Sequence, residues 1–354
     1  MKRILITGGA GFVGSSLAIL IKKNYPEYEL CAMDNLKRRG SELNLPRLFQ
    51  AGIKFIHGDI RNKEDFNEIP PVDCVIEASA EPSVLAGLNS PPDYLINTNL
   101  NGTVHCLNFA SKHKADFIFL STSRIYPIAA IEQIQVEEKE TRFEITADPG
   151  VFGCTQSGLT EKFPLEGARS LYGATKLSSE LLIHEYQYFY GIRTVINRCG
   201  VLTGPYQMGK IDQGVIVLWV ARHFWKQQLG YFGYGGEGKQ VRDILHVDDL
   251  YRLVDLQMHN MDRYSGEVFN VGGGREVSVS LAELTELCVK TTGNRIPMQK
   301  VPENRQADIR IYLTDNSKVT AATGWRPEIS PLQIVEEITE WIKNNAKQLE
   351  SILK

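Results

Sequence analysis

The chain has 354 residues, of which 43% are hydrophobic and 23% are charged, and its formal net charge is −3. This length can bury one large core or two smaller ones, and the scattered basic residues give no reason to expect nucleic acid or an anionic membrane as a partner. No apolar run reaches the roughly 18 residues of a membrane span, and the six cysteines contain no CxxC pair, so we expect a cytoplasmic protein without a disulfide framework or a metal site.

The first predicted element is a short apolar strand, Lys2–Thr7, which runs directly into a glycine-rich turn and then a helix from Phe12 to about Lys23. A strand before the glycines and a helix after them are the context of a dinucleotide fingerprint. Gly8 would permit the tight turn, Gly11 would let the backbone approach a pyrophosphate, and Gly14 would allow close helix packing. The phosphates would then rest on the helix N-terminus, beside Phe12 and Val13.

The second predicted strand, Glu29–Met33, ends at an acid, Asp34, twenty residues after Gly14. An acid at this strand tip can bind both ribose hydroxyls and repel a 2′-phosphate, which favours NAD over NADP. Cations at positions 37–39 are what an NADP site would use, but they lie beyond the tip. We therefore predict NAD as the cofactor, with Asp34 and Asn35 among its ligands.

The next two predicted strands also end in residues that suit a cofactor. The third ends at Asp59-Ile60, where the acid could hydrogen-bond the adenine amino group, and the fourth runs into Ala78 and Ala80, whose small side chains would let the cofactor pass close to the backbone. Strands that alternate with helices in this way predict an α/β fold with a Rossmann-type, doubly wound parallel sheet.

The regular alternation breaks between about residues 129 and 170, in an acidic stretch punctuated by glycine and proline. We expect a long irregular segment at this point to cover a ligand. We predict an NAD-binding domain over 1–200 that contains this insertion. Residues 201–354 would form mostly a smaller substrate-binding lobe, with some segments returning to the main domain.

A tyrosine and a lysine stand four positions apart at Tyr172 and Lys176, fifty residues after Thr122. On a helix this spacing places both on one face, so the ammonium could favour the phenolate. Such a pair can act as a base that removes a hydroxyl proton during hydride transfer to a nicotinamide. By itself the spacing also fits two residues on a solvated helix face. The glycine fingerprint at the N-terminus supports the catalytic interpretation.

These motifs together resemble the extended short-chain dehydrogenase/reductase family over nearly the full length. The resemblance rests on Thr7–Gly14, Asp34–Leu36, Gly58–Ile60, Asn99–Thr103, Ser121-Thr122, Tyr172–Lys176 and Arg242–Asp248. It implies that Tyr172 is the acid/base, that Lys176 binds the nicotinamide ribose, that Thr122 bonds the reacting sugar oxygen and that Asn99 contacts the cofactor. It further implies that Ser123, Gln213, Arg242 and Arg305 bind a nucleotide-sugar substrate, and that helices near 93–113 and 172–190 pair in a homodimer.

Within the family the chain is most similar to the 2-epimerases of CDP-paratose and CDP-tyvelose. This resemblance depends on the long segment before Tyr172, on 211–222 and on 236–243. It implies oxidation of a sugar at C2 and re-reduction from the opposite face, with a CDP-sugar favoured. Family dehydratases usually have an Asp-Glu pair directly after the threonine, whereas this chain has Ser123-Arg124, which disfavours elimination. The alternatives are a UDP-hexose 4-epimerase, another sugar-nucleotide enzyme of the extended family, and a non-catalytic NAD-binding protein.

Overall fold

The computed structural model describes residues 1–88, 91–209, 213–304 and 308–354. The strands of these residues are β1 (Arg3–Thr7), β2 (Glu29–Asp34), β3 (Lys54–His57), β4 (Cys74–Glu77), β5 (Asp116–Thr122), β6 (Val136–Glu138), β7 (Phe143–Ile145), β8 (Cys154–Thr155), β9 (Gly158–Leu159), β10 (Thr194–Cys199), β11 (Val201–Thr203), β12 (Leu229–Phe232), β13 (Val241–His246), β14 (Glu267–Val271), β15 (Ser278–Ser280), β16 (Met298–Val301) and β17 (Ile311–Tyr312). The helices are α1 (Phe12–Asn24), α2 (Leu45–Gln50), α3 (Asp93–Ile96), α4 (Gly102–His113), α5 (Ile128–Glu132), α6 (Leu171–Tyr190), α7 (Val215–Phe224), α8 (Val247–His259), α9 (Met261–Tyr264), α10 (Leu281–Thr292), α11 (Ser317–Thr323), α12 (Pro331–Asn344) and α13 (Ala346–Leu353).

The chain divides into two compact units. The first consists of Met1–Ile125, Ser170–Cys199 and Leu250–Phe269, and the second of Tyr126–Arg169, Gly200–Asp249 and Asn270–Lys354.

A seven-stranded sheet in the order β14-β10-β5-β4-β1-β2-β3 is the centre of the first unit. Every neighbouring pair from β3 to β10 is parallel. Helices cover both faces of such sheets, so their strands are apolar along their length; Ile4, Leu5 and Ile6 of β1 are all fully buried. The predicted Rossmann-type, doubly wound parallel sheet is confirmed.

The strand order of this sheet reverses between β1 and β4. In doubly wound sheets, ligands bind at the carboxyl ends of the strands where the order reverses. Thr7 and Glu77 are the last residues of these two strands and lie in register. The glycine-rich segment after β1 and the small residues after β4 therefore lie at this switch point.

The second unit contains a small sheet in which β13 pairs with β11, β15 and β17, and a separate pair of parallel strands, β12 and β16. Helices α7, α10 and α12 contact one another, and Trp219, Leu284 and Ile338 are buried. Among the described helices, none combines the length and the apolar character needed to cross a membrane.

The segment that we predicted as an insertion of the first domain packs with the second unit. The turn between β6 and β7 bonds Glu283 through Thr141 (2.9 Å), and the amide of Phe143 donates to the carbonyl of Lys239 (3.1 Å). The amide of Leu159 on β9 donates to Leu313 (2.8 Å). Each of these contacts joins residues more than 90 positions apart, so the second unit includes 126–169, most of which we had predicted as an insertion of the first domain.

Candidate active site

The glycine-rich turn after β1 has a backbone that leaves no room for side chains. Gly8 has φ of +66°, and a Cβ there would approach the carbonyl oxygen of Ala78 to 2.8 Å. A Cβ on Gly14 would collide with the carbonyl oxygen of Gly8. Gly8 and Gly14 thus have the geometry predicted for them, a left-handed turn and a close helix packing.

Helix α1 begins at Phe12, with Gly11 as its N-cap. No side chain of the described residues caps this end, and Phe12 and Val13 in the first turn are partly exposed. The first amides of a helix have no intrahelical acceptor and carry partial positive charge, so they suit a phosphate. The cradle formed by the glycines and this helix end fits a dinucleotide pyrophosphate.

Asp34, at the tip of β2, is held by the glycine-rich turn. Its Oδ2 accepts a hydrogen bond from the amide of Ala10 (3.1 Å) and its Oδ1 accepts one from Leu36 (2.8 Å). Burial raises the pKa of Asp34, while hydrogen bonds from Leu36, Ala10 and Gly11 oppose this rise. The acid predicted to recognise the ribose is therefore fixed relative to the pyrophosphate cradle.

Asp59, after β3, is bonded by two side chains. Asn35 donates to its Oδ2 (2.9 Å), and Arg61 forms a bidentate pair with both oxygens (Nε–Oδ1 3.0 Å, Nη2–Oδ2 2.6 Å). Burial would raise the pKa of Asp59, but these bonds outweigh it and lower the pKa to about 2. Sequence reasoning missed Arg61, whose guanidinium lies 4.7 Å from the ring centre of Tyr94; its position two residues after Asp59 was the available signal.

Asn99 and Ile60 are buried, whereas Ala78 and Ala80 are partly exposed. Asn99 lies in a π-helical turn, accepts a hydrogen bond from the amide of Glu81 (2.8 Å) and donates to its carbonyl (3.0 Å). The structure therefore brings Asn99 to the loop after β4 as a buried support for its backbone. The direct contact of Asn99 with the cofactor stays a prediction.

The carboxyl end of β5 and the start of α6 bring Thr122, Tyr172 and Lys176 together. Ser170 caps α6 by accepting from the amide of Gly173 (3.2 Å), and the helix carries Tyr172 and Lys176 on one face. Loss of solvation raises the pKa of Tyr172 to about 12, while a hydrogen bond with Thr122 and the charge of Arg124 oppose the rise. The amide of Arg124 in turn donates to Thr122 Oγ1 (3.2 Å).

Lys176 is buried with only 1% of its surface exposed, and its Nζ lies 3.8 Å from the ring centre of Phe119. Burial lowers the pKa of Lys176, and the carboxylates of Glu77 and Glu180 oppose this. Sequence reasoning missed both acids. Glu180 follows Lys176 by one helical turn, which was a local signal; Glu77 is distant in sequence and had none.

The predicted substrate residues lie in several places. Ser123, directly after β5, is partly buried, as is Gln213, just before α7. Arg242 on β13 donates to the carbonyl of Ile309 (2.6 Å) and pairs with Asp308 at 3.5 Å, and burial lowers the pKa of its guanidinium. Arg305 lies outside the described residues.

The residues of the first unit suit one kind of chemistry. They offer a pyrophosphate cradle, an acid for a ribose, and a tyrosine with a lysine and a threonine at the carboxyl ends of neighbouring strands. A nicotinamide held here would accept a hydride from a carbon whose hydroxyl proton passes to Tyr172. These residues therefore suit hydride transfer. Within the described residues, no group of three His, Cys, Asp or Glu side chains is placed to hold a metal ion.

Comparison with known proteins agrees with this geometry. Residues 4–272 match the family described as NAD dependent epimerase/dehydratase. The CDP-paratose 2-epimerase of Salmonella typhi is 30% identical over 96% of this chain and 98% of its own length. A dTDP-glucose 4,6-dehydratase double mutant from Streptomyces venezuelae, solved with NAD, superposes with a TM-score of 0.80 at 27% identity, covering 99% of this chain and all of that one.

A third relative represents the 4-epimerases. The UDP-glucose 4-epimerase of Thermotoga maritima, solved with UDP-glucose, has a TM-score of 0.78 at 26% identity and covers 97% of this chain and 99% of that one. The predicted resemblance and the predicted cofactor, NAD, are confirmed. The chain is an enzyme that belongs to the NAD dependent epimerase/dehydratase family, whose members act on sugar nucleotides.

Proposed function

We propose that this enzyme is a nucleotide-sugar 2-epimerase that acts on a CDP-linked sugar such as CDP-paratose or CDP-glucose. The proposal depends on two features that occur together. The chain has the three residues expected of the base, Tyr172, Lys176 and Thr122, and it has Ser123-Arg124 directly after the threonine. Elimination of water needs an added acid and base, and family dehydratases usually have an Asp-Glu pair here. Arg124 instead brings a positive charge whose field favours the Tyr172 phenolate.

In the proposed reaction, Tyr172 takes the proton of the C2 hydroxyl while Thr122 bonds the same oxygen. NAD, which the glycine-rich turn, Asp34 and Lys176 would hold, would supply the acceptor and the donor of the C2 hydride. The C2 carbon becomes a ketone, the sugar turns in the site, and Tyr172 gives its proton back as the hydride reaches the opposite face. The C–H and O–H bonds that break are formed again, so no external reductant is consumed.

The proposal assigns the nucleotide part of the substrate to Arg242, Arg305, Gln213 and Ser123. A guanidinium suits a diphosphate because its N–H groups can bond two oxygens at once. Arg242 is half-buried beside Asp308, which holds its planar group in one orientation. The 30% identity to the Salmonella typhi 2-epimerase favours cytosine as the base of the nucleotide.

The test of this proposal follows the configuration at C2 by NMR. The enzyme is incubated with NAD and either CDP-paratose or CDP-glucose in D2O. We expect inversion at C2 without deuterium at C2, because the hydride that returns is the one that was removed. Absence of inversion with both sugars contradicts the proposal.

A UDP-hexose 4-epimerase is the second candidate, and its support is the likeness to the Thermotoga maritima enzyme. UDP-glucose inverted at C4, with C2 unchanged, identifies this activity. A 4-keto-6-deoxy product from a dTDP-sugar would indicate a dehydratase instead. The same NMR experiment, repeated with UDP-glucose and dTDP-glucose, separates all three activities.

We also propose a homodimer formed through α4 and α6, in the cytoplasm. Helix α6 has a largely exposed leucine, Leu181 (62%), and an exposed aromatic end from Tyr188 to Tyr190. Exposed apolar surface of this kind often marks a protein interface. All six cysteines are unpaired thiols, which suits a reducing compartment. Light scattering at micromolar concentration measures the dimer directly, and a monomer mass would contradict it.

A further inference from the structure

Glu180 on α6 is a buried carboxylate that contacts two strands of the main sheet. Its side chain is 2% exposed, and the guanidinium of Arg198 on β10 bonds both of its oxygens (Nε–Oε1 3.3 Å, Nη2–Oε2 2.8 Å). Ser121 on β5 donates a third hydrogen bond to Oε1 (2.5 Å). One side chain of α6 is therefore bonded to β5 and β10 at once.

The two strand residues lie beside the carboxyl end of the sheet. Ser121 and Arg198 are register partners on parallel strands, and the next pair along is Thr122 with Cys199. Both strands end at that pair. Glu180 is therefore bonded to the strands one residue before Thr122, the residue that is expected to bond the reacting sugar oxygen.

On α6, Glu180 shares a face with the proposed base. It follows Lys176 by four residues and Tyr172 by eight, and helical side chains at this spacing lie on one face. Tyr172 is hydrogen-bonded to Thr122. The same face of α6 is thus bonded to the strand ends at two levels, through Tyr172 in its first turn and through Glu180 two turns later.

The bonds of Glu180 are better suited to fixing a position than to adding stability. A buried ion pair contributes little net stability compared with apolar residues of similar volume, because both charges lose their hydration. The bonds are nevertheless directional, since a planar guanidinium binds the two oxygens of a carboxylate in a defined geometry. We therefore expect the pair of Glu180 and Arg198 to fix where α6 lies along the strands.

We propose that Glu180 is a positioning residue for the reaction. Through Arg198 and Ser121 it fixes α6 on the ends of β5 and β10, and so it sets the position of Tyr172 relative to Thr122. The proposal rests on the proposed function in taking Tyr172 as the base that acts on a sugar hydroxyl. Such a base must lie within hydrogen-bond reach of the hydroxyl, and a displacement of about 1 Å can lower a rate about 100-fold.

The first test is Glu180→Gln, which keeps the length of the side chain and removes its charge. The assay uses saturating NAD and the sugar nucleotide that the unmodified enzyme turns over. We expect kcat to fall by roughly 10- to 100-fold, because the base is displaced from the hydroxyl. The KM of the sugar nucleotide should stay nearly unchanged, since the predicted nucleotide contacts are not on α6. An unchanged kcat overturns the proposal.

Asp116→Asn is the matched control. Asp116 at the start of β5 forms a bidentate ion pair with Arg193, the residue before β10 (Nε–Oδ1 2.7 Å, Nη2–Oδ2 2.9 Å). This pair joins the same two strands at their opposite end, roughly 20 Å along β5 from Thr122. Asp116→Asn should lower the melting temperature and leave kcat nearly unchanged. Equal losses of kcat in Asp116→Asn and Glu180→Gln would overturn the positioning role.

The double variant Glu180→Leu/Arg198→Met separates position from stability. Apolar residues can replace a buried ion pair without loss of stability, so its melting temperature should approach that of the unmodified protein. Its kcat should stay at least about tenfold lower, because no directional bond then fixes α6. A kcat that recovers together with the melting temperature contradicts the proposal.

If neither of these Glu180 variants folds, Ser121→Ala decides the question. It removes one hydrogen bond and leaves the ion pair of Glu180 and Arg198 in place. Its kcat should fall by a smaller factor, with the NAD content unchanged. A kcat equal to that of the unmodified enzyme then overturns the proposal.

The outcome for Glu180 can be distinguished from the outcome for the proposed function. Turnover by the unmodified enzyme with an unchanged kcat in Glu180→Gln overturns the positioning role and leaves the function standing. If the unmodified protein turns over none of the CDP-, UDP- and dTDP-sugars, crystal structures with NAD decide instead. The hydrogen bond between Tyr172 and Thr122 should be lost in Glu180→Gln, or in Ser121→Ala if Glu180→Gln does not fold. A retained bond overturns the proposal.

Discussion

Burial makes Tyr172 a weaker acid than an ordinary tyrosine. Its pKa of about 12 is set chiefly by loss of solvation, and a group that works as a base near neutral pH must have a lower value. Two nearby groups act in this direction: the hydroxyl of Thr122 and the charge of Arg124. The positive nicotinamide of NAD adds a further charge when the cofactor is bound.

Replacing Tyr172 by Phe tests its role as the base. Turnover should fall by roughly 10²- to 10⁴-fold, the usual contribution of a positioned acid or base. The fold and the NAD content should not change, because the hydroxyl lies at the end of the side chain and the ring is kept. The measurement is kcat alongside NAD released from denatured protein. Unchanged turnover would refute the assignment.

At the scale of elements, α6 has the largest effect on the site, because it carries both Tyr172 and Lys176. Its first turn begins one residue before Tyr172 and depends on the cap formed by Ser170. Helix α10 has a similar cap, in which Ser280 and Glu283 bond each other's backbone amides. The two caps make the same contribution to their helices, but only the cap of α6 lies beside the proposed base.

Ser170→Ala and Ser280→Ala form a matched pair of changes. Each should lower the stability of the folded protein by about 1 kcal/mol, because each leaves a helix amide without its acceptor. Only Ser170→Ala should also lower kcat, since the first turn of α6 then frays at Tyr172. Thermal unfolding and steady-state rates measure the two effects. Equal loss of kcat in both variants would show that the cap acts through overall stability alone.

At the scale of the whole molecule, stability should depend on pH through buried carboxyl groups. Asp243 is fully buried, and its Oδ2 accepts hydrogen bonds from the amides of Gly274 and Thr314, both 3.1 Å. Burial nevertheless raises its pKa to about 6. The ordinary value of an aspartate in an unfolded chain is about 3.9.

Between these two pKa values the unfolded chain releases the proton of Asp243 and the folded protein keeps it. The contribution of this group to stability is therefore full below about pH 4 and is lost as pH rises through about 6. Relative to Asp243→Asn, which keeps an acceptor oxygen, the unmodified protein should lose on the order of 2 kcal/mol from pH 4 to pH 7. Melting temperatures of both proteins across this range test it. Parallel curves would contradict the raised pKa.

Much of the fold and of the cofactor site could be predicted because the signals are local. The strand β1, the glycines and α1 follow one another within 24 residues, and each glycine's role comes from the backbone next to it. Asp34, Asp59 and Ala78 mark the ends of successive strands, and parallel topology places such ends at one edge of the sheet. For the same reason, helical spacing alone predicted that Tyr172 and Lys176 lie on one face of a helix.

Contacts between distant segments could not be predicted in this way. Glu77 and Lys176 are 99 positions apart, and their mutual effect depends on how α6 packs on the sheet. The bonds of Asn99 to the backbone of Glu81, 18 positions away, likewise depend on how the π-helical turn packs on the loop after β4. Membership of 126–169 in the second unit rests on hydrogen bonds to residues near 240, 283 and 313.

The sequence by itself determined the doubly wound fold and the NAD fingerprint, and it predicts Tyr172 as the base, because periodicity and glycine spacing act over a few residues. Only the tertiary structure decided which buried charges surround that base, since burial and ion pairing arise when segments from the whole chain meet. Burial has the largest effect on the pKa values of Tyr172 and Lys176, and nearby charges modify them.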